Sequence, residues 1–516
     1  MSDARTSAAP VPDLVPLCAD LRTAFLRAGF HTDGVLALLG ADVNAALGRN
    51  EAVPVRRVLD RQGSTDPGGQ SLATLVRLFL LGDTCPESAA AAALAPLDLD
   101  AAVAGGLLQR HGGAVRAALD VRPLDTGAGT RWVVSDLDAD RGELAGDREY
   151  VPGVGQASVS LLQAIPALAP ATALDLGTGC GVQALQVGEH AGAVTATDVS
   201  PRALAMAAAT FALNQVSVEL LAGSWFEPVA GRRFDQVVAN PPFVVGPAEV
   251  HSVYRDSGLD LDGASELVIR GIPEHLNPGG TATLLASWVH VRGQDWRQRV
   301  ASWLPEHGID AWVVQRDVAE PALYVSTWLR DGGLDPRTGE GARRYDAWLE
   351  HLERSEVTGI GFGYVTLRAT DAPSDVLAED LLHPFTDPLG PEAQAYLARV
   401  AWLREHDLLD AQLAVAPGVV LQRVAVATDE GWKPLVARVT RTDGPRWEHE
   451  VDELAVSLLA GLRPDGLPLG ELVGMLELAH GEDEGALTGP ATALVHDLLR
   501  HGLVLPADLA GDTPTR

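Results

Sequence analysis

The chain has 516 residues, 47% of them hydrophobic, and a formal net charge of −30. A chain of this length accommodates about three domains at roughly 150 residues each. The hydrophobic share excludes gross disorder, and the acidity opposes loose, charge-driven binding to nucleic acid.

Three cysteines, Cys18, Cys85 and Cys180, lie far apart with no C-x-x-C spacing, which excludes a disulfide framework or a zinc ribbon. No basic segment followed by an apolar one opens the chain, and no run approaches the ~20 apolar residues of a membrane span. The expectation is a cytoplasmic protein without membrane contact. The charge is uneven: residues 1–125 hold 11 arginines against 14 acids, so most of the acid excess lies beyond them.

Residues 1–12 read as a small-residue tail. Leu14 to Leu47 reads as two helices punctuated at Asp33-Gly34, with Leu21, Phe25 and Leu26 at helical spacing. Further helices are predicted over 71–81, 87–94 and 99–108, then strands over 115–122 and 131–137. Helices followed by a β-ribbon suggest a winged-helix-like module. Arg49, Arg56, Arg57 and Arg61, with Arg110, Arg116 and Arg122, would give it a grip on RNA phosphates; ordinary solvated arginines are the alternative.

A charged connection, 138–150, leads to VPGVGQASVSLL (151–162), a glycine-rich turn entering a helix. A strand then runs into Gly177, Gly179 and Gly181, and a helix follows. Glycines let a backbone turn sharply and approach a ligand where a Cβ would clash. The next strand, 194–198, ends in Asp198, about 20 residues beyond the turn, the separation at which a carboxylate accepts ribose hydroxyls. These two features alone suit NAD, FAD or S-adenosylmethionine.

The third feature is Asn240-Pro241-Pro242-Phe243 after a predicted strand, 234–239. Two prolines remove two backbone donors and stiffen φ, which leaves carbonyls free to face a ligand. An Asn side-chain oxygen and a proline-held carbonyl can accept both hydrogens of a planar NH2 group, while the aromatic ring stacks on its flat face. Such a nitrogen is a poor nucleophile, because its lone pair is delocalised, and it needs this alignment.

DLGTGCG (175–181), the acid of TATD (195–198) and NPPF (240–243) resemble the motifs of class I S-adenosylmethionine-dependent methyltransferases. NPPF is similar to the [N/D]PP[F/Y/W] signature of enzymes that methylate adenine N6, guanine N2 or protein glutamine N5. GSWFEPV (223–229) resembles the segment before that signature in release-factor glutamine methyltransferases. The resemblance covers about the middle half of the chain. It implies S-adenosyl-L-methionine as cofactor, held by Asp175, Gly177, Thr178, Gly179, Gly181, Asp198 and Asn240, and catalysis by Asn240, Pro241, Pro242 and Phe243. Gly155 and Ser158 are the candidates to cover its methionine end, a simple helix cap being the alternative. Where many relatives place Asp or Asn for the adenine amine, this chain has Gly223-Ser224, so Ser224 and Trp225 are the candidates there.

The alternation of strands and helices implies an α/β fold, a doubly wound, mostly parallel sheet of seven strands. Later strands are predicted at 280–287, 311–316 and 360–368, and the resemblance implies that the last two pair antiparallel. Two insertions stand out: 246–263, a lid or a loop over the substrate pocket, and 321–359, which carries Arg343, Arg344 and Tyr345. From Asp371, prolines mark a linker. Strands at 419–427 and 434–440 and helices at 453–462, 467–478 and 491–502 again suggest a winged-helix-like module. His496 and His501, five apart, share a helix face poorly, and no metal site is expected.

The expected domains are 1–137, 138–370 and 371–516. The expected function is methyl transfer to a planar nitrogen, an exocyclic amine of an RNA or DNA base or a protein glutamine, so the partner is nucleic acid, RNA foremost, or a protein substrate. Phe243 and the appended modules favour nucleic acid by resemblance; the net charge favours protein. An inactive cofactor-binding assembly module and an NAD-dependent oxidoreductase are the readings from other classes. The sequence leaves oligomeric state open.

Overall fold

The computed structural model describes residues 11–61, 67–127, 129–137, 149–249 and 253–509. Most of the expected tail and of the 138–150 connection lies outside these residues. Residues through Leu162 together with Leu168–Asp380 make one compact unit; Gln163–Ala167 with Leu381–Arg516 make a second. Among the described residues no helix is long and apolar enough to cross a membrane.

The first unit is built on a sheet of β1 (Thr172–Leu176), β2 (Ala193–Asp198), β3 (Glu219–Ala222), β4 (Phe234–Ala239), β5 (Leu276–Val291), β6 (His307–Ala319), β7 (Val357–Pro373) and β8 (Asp375–Asp380). The spatial order is β3-β2-β1-β4-β5-β7-β6-β8. The strands from β3 to β5 pair in parallel, and β7 is antiparallel to both β5 and β6. This is the doubly wound sheet expected, with one addition. The stretch read as the start of a linker forms β8, which pairs in parallel with β6 and makes an eighth strand. Its residues, DVLAED, alternate too weakly to announce a strand.

Chain direction reverses its lateral progress at β1: β2 lies on one side and β4 on the other. Leu176 at the end of β1 pairs with Thr197 and with Ala239. The carboxyl ends of β1, β2 and β4 therefore sit side by side, and each delivers one motif to the same edge, where open sheets bind ligands. β1, β4 and β5 are fully buried along their middles, which explains their continuous apolar runs. Trp288, Trp296 and Trp303 close the core beneath them.

Helices cover both faces: α1 (Val182–Val187), α2 (Pro201–Asn214), α3 (Gly263–Gly271), α4 (Trp296–Ala301), α5 (Pro321–Asp331) and α6 (Gly339–Arg354). The last two are the 321–359 insertion. Tyr324, Val325, Leu329 and Leu352 of this pair pack on Val244 and Val245, just past the NPPF motif. The insertion is thus a wall of the site.

The N-terminal segment forms three helices over 18–48 where two were expected, because Gly40 at φ 75° breaks the run. A further helix, Ala52–Arg61, was not anticipated. The expected strand 115–122 divides into Ala114–Ala117, which joins Cys85–Pro86 and Leu108–His111, and Asp120–Asp125, which pairs with Thr130–Ser135.

This segment docks on α2 through polar groups. The free edge of Thr130–Ser135 donates Trp132 N–H to Asn214 Oδ1 at 2.9 Å and Val134 N–H to Thr210 Oγ1 at 3.0 Å. Asn214 Nδ2 returns a bond to the Trp132 carbonyl at 2.7 Å. Buried Arg202 pairs with buried Asp136. Buried backbone groups must find partners, and α2 side chains supply them here as a neighbouring strand would.

Four of the seven N-terminal arginines singled out above are neutralised locally. Arg49 pairs with Glu51, Arg56 with Asp83, Arg110 with Glu87 and Asp100, and Arg122 with Asp120. Among the described residues only Arg57 and Arg61 of the first cluster lack an ion pair.

The second unit contains a helix, Leu389–Glu405, three later helices and a three-stranded ribbon. The expected strands 419–427 and 434–440 form an exposed hairpin, Val419–Thr428 with Gly431–Arg441. The strands beside the helices are instead Leu413–Val415 and Val504–Pro506.

Candidate active site

A cavity of about 540 Å³ opens over the carboxyl ends of β1, β2 and β4. That volume lies in the range of small-molecule and cofactor sites.

Its floor is the glycine turn. Gly177 and Gly179 have φ of 75° and 55°, the left-handed region, and a Cβ on either would meet no protein atom within 4 Å. Both line the cavity, so that Cβ would enter the space a ligand needs. The turn is tied to β2: the Gly177 and Thr178 N–H groups donate to the Thr197 carbonyl at 3.0 and 2.8 Å. Gly181 plays another part. It caps α1 at φ 87°, and a Cβ there would sit 2.9 Å from the Phe211 ring.

Asp175 and Gly181 do not line the cavity; Gly177, Thr178, Gly179, Asp198, Ser224 and Trp225 do, as does the whole NPPF motif. Asp175 is buried beneath the turn, and its Oδ2 accepts from Thr178 Oγ1 at 2.6 Å and Ala184 N–H at 3.0 Å. Burial pushes its carboxyl up to about 7, against the pull of those two bonds. Its role is to hold the turn onto α1. Burial likewise pushes the Cys180 thiol up to about 12, which keeps it unreactive.

Asp198 accepts Gly179 N–H at 2.9 Å on one oxygen and Ser200 N–H at 2.8 Å on the other. Burial raises its pKa and these N–H groups oppose the rise. Each oxygen keeps a lone pair, so a fixed carboxylate remains able to accept two hydroxyls. Beside it Trp225 has φ 47°, a left-handed conformation uncommon for a bulky residue. Such strain is typical of sites where a side chain must be presented in one direction. Gly155 and Ser158 also line the cavity.

Asn240 is half-buried at the cavity wall. Among the described residues neither its side-chain amide nor the Pro241 carbonyl has a hydrogen-bond partner. The rest of the motif is braced. The Phe243 carbonyl accepts from Ser287 Oγ, Val245 N–H donates to Tyr324 Oη at 2.6 Å, and Trp348 Nε1 donates to the Val245 carbonyl at 3.1 Å. Two acceptors thus stand free on a rigid loop, with the Phe243 ring beside them.

Groups the sequence did not single out together also line the cavity. Tyr150 and Tyr254 meet edge to face with ring centroids 5.6 Å apart. Tyr254 Oη donates to Asp331 Oδ2 at 3.0 Å, and nearly buried Arg255 donates to the Trp328 carbonyl at 3.0 Å. The insertion after NPPF is therefore clamped to α5. Burial, reinforced by Asp331, raises the Tyr254 pKa, so the phenol stays protonated. For Tyr254 and Arg255 the visible signal was the aromatic and arginine content of the insertion after the motif. Among the described residues no cluster of His, Cys, Asp or Glu could hold a metal ion.

Residues 152–287, the span that contains this site, match the family model of a methyltransferase small domain. The match covers about a quarter of the chain and takes in the glycine turn, Asp198 and the NPPF motif. Residues 27–118 and 394–506 each match a model described as a domain of unknown function. The chain is similar to the ribosomal RNA small subunit methyltransferase C of Escherichia coli O7:K1, 34% identical over 137 residues, 26% of this chain and 36% of that protein. The enzyme of the same name from Erwinia tasmaniensis is 34% identical over 116 residues, 22% of this chain and 30% of that protein. The chain thus spans about a third of these relatives' length. Among solved structures it is similar to a Thermus thermophilus 16S rRNA N2 G1207 methyltransferase in complex with AdoMet and guanosine, at 17% identity and TM-score 0.27, covering 46% of this chain and 65% of that one. A methyltransferase from Pyrococcus furiosus shows 16% identity and TM-score 0.24, covering 41% and 80%.

Proposed function

We propose that this chain uses S-adenosyl-L-methionine to methylate an exocyclic amine of an RNA base. The carrying observation is the pair of unpartnered acceptors, Asn240 Oδ1 and the Pro241 carbonyl, fixed on a rigid loop beside an aromatic ring and next to the glycine turn and Asp198. The similarity of this span to rRNA methyltransferases favours RNA.

The residues fit the cofactor. Asp198 would take the ribose hydroxyls, Gly177 and Gly179 allow close approach, Ser224 and Trp225 would adjoin the adenine, and Gly155 and Ser158 the methionine end. When bound, S-adenosylmethionine would supply a methyl group on a positively charged sulfur, which an amine lone pair can accept as the carbon–sulfur bond breaks to the neutral thioether and the amine gives up one proton. Asn240 and Pro241 accept the two N–H bonds of the amine and fix its orientation, and Phe243 supports the base. Alignment of this kind supplies much of the rate enhancement.

Asp198→Ala should weaken cofactor affinity without unfolding the chain. Losing charged hydrogen bonds costs about 1.5–3 kcal/mol, at least roughly tenfold in Kd. Calorimetric titration with S-adenosylhomocysteine checks this, and unchanged affinity would remove the ribose assignment.

A protein glutamine is the second reading, favoured by the net charge of −30. Incubating the full chain with radiolabelled cofactor and lysate, then splitting the product with nuclease or protease, separates the two. Label released by nuclease supports the RNA reading; label released only by protease supports the glutamine.

A further inference from the structure

A second cavity, of about 250 Å³, adjoins the first, and Val244, Arg255, Asp256 and Ser257 line both. Its outer wall is α6. Arg344, Trp348, His351 and Arg354 follow one another at intervals of four, three and three residues, which puts them on one helix face. All four line the cavity.

The charges on this wall are not equivalent. Arg255 lies 3.5 Å from Asp256 and 3.4 Å from Asp331, and His351 Nε2 lies 2.8 Å from Asp260. Arg344 and Arg354 make neither an ion pair nor a hydrogen bond among the described residues. Glu249 and Asp256 are the acids that share the lining. Trp348, which lies between Arg344 and Arg354 along α6, is fixed: its indole N–H bonds the Val245 carbonyl, and Gly246 packs so closely that a Cβ there would lie 2.9 Å from the ring.

Two unpaired guanidiniums beside a substrate pocket call for an anion, and this in a chain of net charge −30. The guanidinium fork matches phosphate oxygens. Ten residues of helix separate the two side chains by about 15 Å along the axis. That span suits two phosphates spaced apart along one strand better than one small anion. The cavity also opens beside Val244, immediately after the motif that would hold the target base.

We propose that this second cavity is a subsite for the RNA strand flanking the methylated base, with Arg344 and Arg354 holding its phosphates and Trp348 as the rigid wall between them. It rests on the RNA reading above. It places the backbone grip on the α5–α6 insertion, next to the chemistry, rather than on the N-terminal arginines, which are mostly engaged by neighbouring acids.

The test uses the full-length chain, a fluorescently labelled single-stranded RNA 12-mer of mixed sequence and, as a competing class, a labelled oligoglutamate peptide. Arg344→Ala/Arg354→Ala should weaken 12-mer binding at least tenfold at low salt. It should also flatten the dependence of log K on log salt by roughly 0.7 per lost phosphate contact. Arg344→Lys/Arg354→Lys should recover part of the loss, and S-adenosylhomocysteine affinity, measured by calorimetry, should not move. Equal RNA affinity and equal salt slope in wild type and the alanine variant would overturn the subsite. If methyl label still entered RNA, the functional reading would stand without it. Binding of the peptide but not of the 12-mer by wild type would overturn the subsite, and label confined to protein would overturn the functional reading as well.

Discussion

Asn240→Ala is expected to lower kcat by at least about 100-fold while leaving cofactor affinity within about twofold. The side chain is half-buried, lines the cavity and has no partner among the described residues, so its removal breaks no internal bond and leaves no buried donor stranded. What would be lost is one of the two acceptors proposed to fix the target amine. Losing a preorganised hydrogen-bonding group at a reacting centre typically costs 10²–10³ in rate, and a contact that matters most in the transition state lowers kcat more than it raises KM. Single-turnover methyl transfer, with calorimetry for the cofactor, separates the two effects. A variant with near wild-type turnover would contradict the assignment.

Asp136→Ala is expected to destabilise the first unit by about 3–5 kcal/mol. Asp136 and Arg202 are both buried, and the carboxylate also accepts Val151 N–H at 2.8 Å. Removing one partner of a buried ion pair leaves the other charge uncompensated, the costly case. The loss should spread to the site, because Tyr150, Val151 and Pro152 line the cavity. Thermal denaturation should show a clearly lowered midpoint, and S-adenosylhomocysteine should bind more weakly. Asp136→Asn retains an acceptor for Val151 but not the charge, and should fall between. An unchanged midpoint for the alanine variant would show that the pair does not hold the N-terminal segment on α2.

The large sheet was legible because its signals are local. Short apolar runs broken by glycine marked β1 and its turn, and the positive φ values of Gly177 and Gly179 are what those glycines serve. Asp198 and NPPF could be placed because each ends an apolar strand. Other features depend on tertiary contacts and leave no periodic trace. Asp175 lies inside the glycine-turn motif, yet its partners, Thr178 and Ala184, make it a brace of the turn and not a wall of the cavity. Arg202, Thr210 and Asn214 read as polar interruptions of α2 until a strand from the N-terminal segment is laid against them. The N-terminal arginines suggested a phosphate grip by count, but pairing with nearby acids decides their availability, and that depends on the fold. The insertion helices were ambiguous for the same reason: only the packing of Tyr324 and Leu352 on Val245 shows that they border the site.

The most direct test of the central claim is the identity of the methylated nucleoside. Deproteinised RNA is incubated with isotopically labelled S-adenosylmethionine and either the wild-type chain or Asn240→Ala, then digested to nucleosides and resolved by mass spectrometry. The expected result is label on an exocyclic amine, as N2-methylguanosine or N6-methyladenosine, formed by wild type and lost in the variant. Label on a ring carbon or a ribose hydroxyl, or label found on protein glutamine with none on RNA, would contradict the account.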